Sequence, residues 1–449
     1  MGSRIHSTPL LRDALASARA LTGGDKDYDD LLAMTREARF VLIGEATHGT
    51  HEFYAERARI TQRLIVEQGY DAVAVEADWP DAYRINRYVR GRGDDLDAVS
   101  ALGGFERFPT WMWRNQDVLS FVNWLRQYNT DAAHGRQAGF YGLDLYSMFR
   151  SMGEVLHYLD QYDPPAASEA RERYGCFDRY QQNSQRYAYA SGIGTSPSCE
   201  HAVITQLHEM RALAHQSTRH DDRDMAEALF SAQQNARLVA DAEHYYRTML
   251  ASGVSSWNLR DSYMAQTLDT LARHLSKVNG RPARIVVWAH NSHLGDASAT
   301  DAAQQGEWNV GQLVREKYGA EAILVGLTTH HGSVTAASDW DAPAERKRVR
   351  PALDDSIEQL FHRSGMERFY LPLRGNEMAS RALDQPLLQR AIGVIYRPHT
   401  EYYSHYLKAR VARQFDCMLH FDATHALSPL ELTELWHSGE PPETYPRGL

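Results

Sequence analysis

The stretch Arg39-Phe40-Val41-Leu42-Ile43-Gly44-Glu45-Ala46-Thr47-His48-Gly49-Thr50-His51-Glu52-Phe53 constrains the fold more than any other. Its apolar run, Phe40 to Ile43, has the length of a buried strand. The run breaks at Gly44, and Glu45, Thr47, His48, His51 and Glu52 crowd into the next eight residues. A helical pattern then runs from Thr50 to Gln68 and stops at Gly69, as a C-terminal glycine should. A strand that ends in ionisable side chains and turns into a helix places chemistry at the carboxyl edge of an α/β sheet. On this helix Phe53, Ile60 and Leu64 share a narrow sector, and Arg57 falls within it. An arginine on a buried face needs a carboxylate or a ligand.

The pattern recurs. Asp71 to Glu76 reads as a strand ending in a carboxylate, followed by Ala77-Asp78-Trp79-Pro80 and a helix from Asp81 to Tyr88. A helix is predicted from Trp111 towards Tyr128. Ala138 to Asp144 is a third strand, again ending in an acid, and Arg284 to His290 a fourth, leading into Asn291-Ser292-His293. Ala322 to Leu327, Arg368 to Leu371, Ile392 to Tyr396 and Phe415 to Phe421 are further strands. Strands alternating with helices predict an α/β fold with a mostly parallel central sheet flanked by helices. Right-handed crossovers put all the acidic strand ends on one edge.

From Met148 to Ser276 strand signals vanish, which predicts an inserted all-helical subdomain over the active-site cleft. The expected division is 1–147 and 281–449 for the two parts of the α/β core, and 148–280 for the cap. The Tyr-rich segment Tyr174 to Thr195 reads as helix-packing aromatics, with the lining of an apolar pocket as the alternative. The cleft walls, and with them the choice of substrate, fall to the segment Gly91 to Asn115 and to the helical block.

Composition excludes some partners. A net charge of −10 argues against nucleic acid, which needs clustered Lys and Arg. No run approaches the roughly 20 apolar residues of a membrane span. Three cysteines, far apart and without a Cys-x-x-Cys, suggest neither a zinc knuckle nor a disulfide framework. They fit a reducing compartment. The amino-terminal segment lacks an apolar signal core, so a cytoplasmic location is expected. Leu10 to Ala20 and Tyr28 to Met34 read as lead-in helices, and Gly439 to Leu449 as a surface strap. His330-His331 reads as a solvated loop outside the site.

Two acids and two imidazoles converging on one crevice can do general acid–base work, because proximity pushes their pKa values apart. The blocks Gly44-Glu45-Ala46-Thr47-His48-Gly49-Thr50-x-Glu52-Phe53, Val75-Glu76-Ala77, Trp257-Asn258-x-Arg260-Asp261-x-x-Met264-Ala265 and Trp288-Ala289-His290-Asn291-x-His293 resemble, in order, the signature blocks of the erythromycin esterase family. The resemblance runs from roughly Arg39 to Phe421 and implies an α/β core with a helical subdomain over a deep cleft. It implies hydrolysis of a macrolide lactone in members that confer antibiotic resistance. It also implies that His48 is the base that activates water, with Glu45, Arg57, Glu76 and His290 as the other catalytic residues.

Trp79, His293 and Asp144 are expected to contact a small-molecule ester or lactone, and no cofactor is expected. Arg260 and Asp261 read as an ion pair bracing the cap in preference to catalysis. No Gly-x-Ser-x-Gly elbow supports a serine hydrolase. Two alternatives stand: a metal-dependent hydrolase with a divalent ion on Glu45, His48, Glu76 and His290, and a non-catalytic small-molecule binding homologue.

Overall fold

The computed structural model describes residues 15–131, 135–192, 194, 197–216, 223–250 and 253–438. The expected strap Gly439 to Leu449 and residues 10–14 of the first lead-in helix lie outside them. The described end of that lead-in is a short strand instead.

Eleven strands occur among the described residues: β1 Arg19–Ala20, β2 Phe40–Ile43, β3 Ala72–Asp78, β4 Gly139–Asp144, β5 Ile285–Trp288, β6 Ala322–Ala336, β7 Glu345–Val349, β8 Arg368–Pro372, β9 Leu387–Arg390, β10 Tyr406–Ala409 and β11 Cys417–Thr424. Nine form one sheet in the order β1-β8-β11-β6-β2-β5-β3-β4, with β7 paired to β6. Strands β11, β6, β2, β5, β3 and β4 are parallel, while β8, β1 and β7 pair antiparallel. The mostly parallel α/β sheet is therefore as expected.

Both faces of the sheet are covered. Phe40, Leu42, Ala72, Ala74, Ile285 and Val287 enter one apolar core, and Val41, Ile43, Val73, Val75, Val286 and Trp288 the other. That is why these strands read as continuous apolar runs rather than alternating ones.

The helices that bear on function are α1 His51–Gln68, α2 Trp79–Val89, α3 Gln116–Thr130, α4 Met148–Tyr162, α5 Pro164–Tyr174, α6 Ser184–Gly192, α7 Glu200–Gln216, α8 Arg223–Thr248, α9 Gly253–Asn279, α10 Val310–Tyr318 and α11 Ile357–His362. Helices α4 to α9 follow one another with no strand between them among the described residues. Gly69 ends α1 in the left-handed conformation, at φ 66°.

Several local expectations fail. The helix foreseen from Trp111 starts at Gln116, because Asn115 caps it by accepting the Val118 N–H at 2.8 Å. Ile392 to Tyr396 makes only isolated bridges, to Thr47 and Ala337. His330 and His331 are not in a loop but on β6, which runs for 15 residues. Cys176 and Cys199 are joined in a disulfide, although the cysteine pattern suggested no disulfide framework; Cys417 is free and buried. The Tyr-rich segment is largely helical. Tyr174, Tyr180 and Tyr187 are buried in the apolar core that also covers one face of the sheet, and the Tyr187 hydroxyl donates to Glu243. No helix among the described residues is long and apolar enough to cross a membrane.

Candidate active site

Strand order decides which sequence-distant residues meet. Because β2, β5, β3 and β4 are consecutive neighbours, their carboxyl ends bring Glu45 and His48, His290 and His293, Glu76, and Asp144 side by side. Asn291 ties the ends of β5 and β2 to the neighbouring strand β6. Its backbone N–H donates to Glu45 O at 2.8 Å, and its side chain donates to Leu327 O at 2.8 Å. Gly44 is required here, since a Cβ would overlap the Asn291 side chain.

The turn after β2 holds the first cluster. His48 Nδ1 lies 2.9 Å from Glu45 Oε1, and Glu45 is fully buried. With its proton held on Nδ1 by the carboxylate, a neutral His48 keeps the Nε2 lone pair free. Glu45 Oε2 lies 2.7 Å from Arg57 Nη2. The Arg57 guanidinium is wedged between two rings, its carbon 4.3 Å from the Tyr54 centroid and 5.2 Å from that of Trp288. The arginine read from the sequence as facing the core thus has a carboxylate and two aromatic faces as partners.

The second cluster centres on Glu76. Its Oε2 accepts the backbone N–H of His290 at 2.9 Å, and its Oε1 accepts from Arg260 Nη2 at 2.8 Å. Arg260, from α9, also clasps Asp144 with two hydrogen bonds of 3.0 and 2.7 Å. His293 Nδ1 donates to the Asp261 carboxylate at 2.9 and 3.0 Å, and its Nε2 lies 3.3 Å from Glu76 Oε1. The His293 ring stacks on Trp257 at 4.6 Å.

Electrostatics pull these groups apart. Burial favours neutral His290, and the neighbouring His48 reinforces this, so its pKa falls to about 3. Burial also works against charge on His293, but the Asp261 and Glu76 carboxylates outweigh it and lift the pKa to about 9. Burial would raise Glu76; His293, His48 and Arg260 together hold it well below the usual range. His290 is thus driven towards the neutral form and His293 towards the protonated one, the latter against the Arg260 guanidinium, whose Nη1 lies 3.2 Å from His293 Nε2. His290 Nδ1 accepts the Ser292 N–H at 3.2 Å, so the ring's proton resides on Nε2.

A cavity of about 320 Å³ opens onto both clusters, at the small end of the range for ligand pockets. His48, Glu76, His290, His293, Asp144 and Arg260 line it. Its walls include Phe105, Arg107, Phe108, Met112 and Trp113, from the segment expected to set substrate choice, and Trp257 from the cap. Asp78 and Asp81 form an acidic wall. Burial and the Asp78 carboxylate push Asp81 up to about 8, against the pull of Arg150 and Arg107.

Most expected site residues thus gather, with differences in role. Trp79, expected among the substrate contacts, is fully buried in the interior; its Nε1 donates to Ser231 at 3.2 Å and its ring packs on Tyr141 and Phe230. The tryptophans at the cavity are Trp113, Trp257 and Trp340. Arg57 backs Glu45 from behind, outside the cavity lining. Arg260 and Asp261 do brace the cap, but through separate partners in the site: Asp144 and Glu76 for one, His293 for the other. The Trp257-to-Ala265 block was the signal that they belong to it.

Known proteins resemble the chain in sequence and in fold. The chain is 22% identical over 379 residues to erythromycin esterase type I from Escherichia coli, covering 80% of this chain and 86% of that one. It is 23% identical over 341 residues to erythromycin esterase type II from Escherichia coli, covering 70% and 74%. Its fold is similar to that of a succinoglycan biosynthesis protein, with a TM-score of 0.74, 19% identity and coverage of 95% and 100%. It is also similar to a mutant of the erythromycin esterase EreC in its open conformation, with a TM-score of 0.63, 17% identity and coverage of 90% and 95%. The profile described as Erythromycin esterase matches residues 65–424, from within α1 to the end of β11, and so takes in Glu76, Asp144, Arg260, His290 and His293. Matched over most of its length, the chain belongs to the erythromycin esterase family.

Proposed function

We propose that this protein hydrolyses a carboxylic ester or lactone by direct attack of water, with His48 as the general base. Family membership supports a hydrolase acting on a small molecule. The observation that carries the finer reading is the pairing of His48 with Glu45 at 2.9 Å at the cavity wall, opposite a neutral His290.

In this reading His48 Nε2 takes a proton from water as its oxygen attacks the carbonyl carbon. Glu45 fixes the tautomer and stabilises the imidazolium that forms. The Nε2–H of His290, buried beside the Ala46 carbonyl, reaches the developing oxyanion by a turn of the ring and donates to it. A neutral donor serves here because it does not itself compete for the proton. Glu76 acts one step back: by accepting the His290 backbone N–H it positions that ring. The imidazolium of His48 returns its proton to the departing alkoxide as the tetrahedral intermediate collapses.

The alternative of a divalent ion on Glu45, His48, Glu76 and His290 meets opposing charge. Arg57 already neutralises Glu45, and Arg260 and His293 neutralise Glu76. A dication there would have to displace or face these cations.

The reading is tested by mass spectrometry of erythromycin, other macrolides and simple esters incubated with the purified enzyme and with His48→Ala. Gain of one water's mass with the wild type alone supports it. Near-normal turnover by His48→Ala would remove His48 from the role of base. Tight binding without turnover would favour the non-catalytic homologue.

A further inference from the structure

A second cluster of ligating side chains lies on the other side of β6, outside the cavity lining. Strand β6 contributes His330 and His331, β11 contributes His420 and Asp422, and α11 ends in His362. We propose that His330, His362 and Asp422 bind a divalent transition-metal ion, with His331 and His420 beside them.

Three elements converge here. His330, His362 and Asp422 each offer one ligand atom, and these atoms lie within 4.8 Å of one another. Four imidazoles share a single carboxylate. Neutral imidazole with carboxylate suits zinc and its neighbours in the first transition row rather than calcium or magnesium.

The hydrogen bonds around the cluster leave nitrogen lone pairs facing inward. Gln359 Oε1 can only accept, so at 2.9 Å from His330 Nε2 it fixes the proton there and frees Nδ1. An outer acceptor that orients a ring in this way is the usual support for a metal-bound histidine. His330 Nδ1 faces His331 Nδ1 at 2.9 Å. Two nitrogens at that spacing, each about 2.1 Å from an ion, subtend about 90° at it. His362 Nδ1 is held by Asp422 Oδ1 at 2.7 Å.

The independent observation is His420. It is fully buried, and the one contact of its Nε2 is a long ion pair, 3.5 Å from Asp422 Oδ1, the oxygen that His362 already holds at 2.7 Å. A buried ring nitrogen held by so long a contact is poorly satisfied. Mere aromatic packing, such as the stacking of His330 on His362 at 3.9 Å, would not require it. The His362 side chain is 41% exposed and gives an ion a path in.

The test uses the full, untagged chain, stripped with chelator and desalted, then titrated with zinc chloride by calorimetry and with cobalt(II) chloride by visible absorption. The expected result is one zinc ion per chain, with cobalt bands of nitrogen and oxygen ligation. His362→Ala and Asp422→Asn should weaken binding at least tenfold. Gln359→Leu, which keeps every ligand and so guards against a misfolded variant, should weaken it roughly 10–100-fold. His48→Ala should bind as the wild type does. Absence of zinc uptake by the wild type overturns the proposal. So does uptake lost in His48→Ala yet kept in Asp422→Asn.

Discussion

The rings of His48 and His290 stand 4.9 Å apart, tilted by 47° to each other. Burial, with His48 beside it, drives His290 towards the neutral form. A base and a hydrogen-bond donor are thereby set side by side. Replacing His48 by Ala should lower kcat/KM by about 10²–10⁴-fold, the usual worth of a positioned general base. His290→Ala should lower kcat by about 10²–10³-fold, as loss of one oxyanion donor does. Steady-state kinetics on whichever ester proves to be a substrate checks both.

Arg57→Met should be costly although Arg57 lies outside the cavity lining. It would leave the fully buried Glu45 facing only His48. Breaking a buried pair from one side typically costs about 3–5 kcal/mol. A fall of that size in chemical denaturation, together with loss of turnover, is the expected outcome. An unchanged denaturation midpoint would show that Tyr54 and Trp288 hold the region without the charge.

The two flanking histidines give opposite pH slopes. His293 has its pKa raised in the fold, so its stabilisation is complete below about 6.5 and disappears as pH rises through about 9. His290 has its pKa depressed, so its contribution is present above about 6.5 and disappears as pH falls towards about 3. Taken together they place a stability maximum near pH 6.5. Denaturant midpoints measured across pH 5 to 10 should fall on both sides of it, and Asp261→Asn should flatten the alkaline limb.

Trp79→Phe and Trp257→Ala should separate structure from function. Trp79→Phe removes a hydrogen bond to Ser231 and some interior packing, so stability should fall by about 1–3 kcal/mol with little change in kcat/KM. Trp257→Ala strips the stacking partner from His293 at the cavity wall. Turnover should fall there with a smaller change in stability. A reversal of this pattern would return Trp79 to the site.

Much of this was legible because the information was local. The run Phe40 to Ile43, the break at Gly44 and the glycine at 69 mark strand, turn and helix within thirty-one residues (39–69), and Arg57 betrayed its burial by its place on the helix. What sequence could not rank was direction across space. Trp79 and Trp257 carry the same side chain, but Trp79 opens a helix that packs beneath the cap, while Trp257 lies in α9 beside the strand ends. Arg260 and Asp261 look like a natural pair, yet adjacent positions on a helix diverge by about 100° and reach different partners. His330-His331 resembled a solvated loop because β6 continues well beyond the strand's apolar stretch, and polar residues there are paired with β11 and β7 rather than with water. The disulfide joins residues 23 apart whose cysteines carry no recognisable spacing.

Helix α9 starts above the cavity with Trp257, Arg260 and Asp261, and ends at Asn279, whose side chain donates to Asp71 at the opposite edge of the sheet. Its 27 residues make a rod of about 40 Å. Near its start Arg260 is held between Asp144 and Glu76, Asp261 by His293, and Trp257 and Asn258 by the backbone of Trp308 and Gly306. A shift of α9 away from the sheet would take the guanidinium off Glu76, whose Oε2 accepts the His290 N–H. The same arginine therefore couples the position of α9 to the placement of His290.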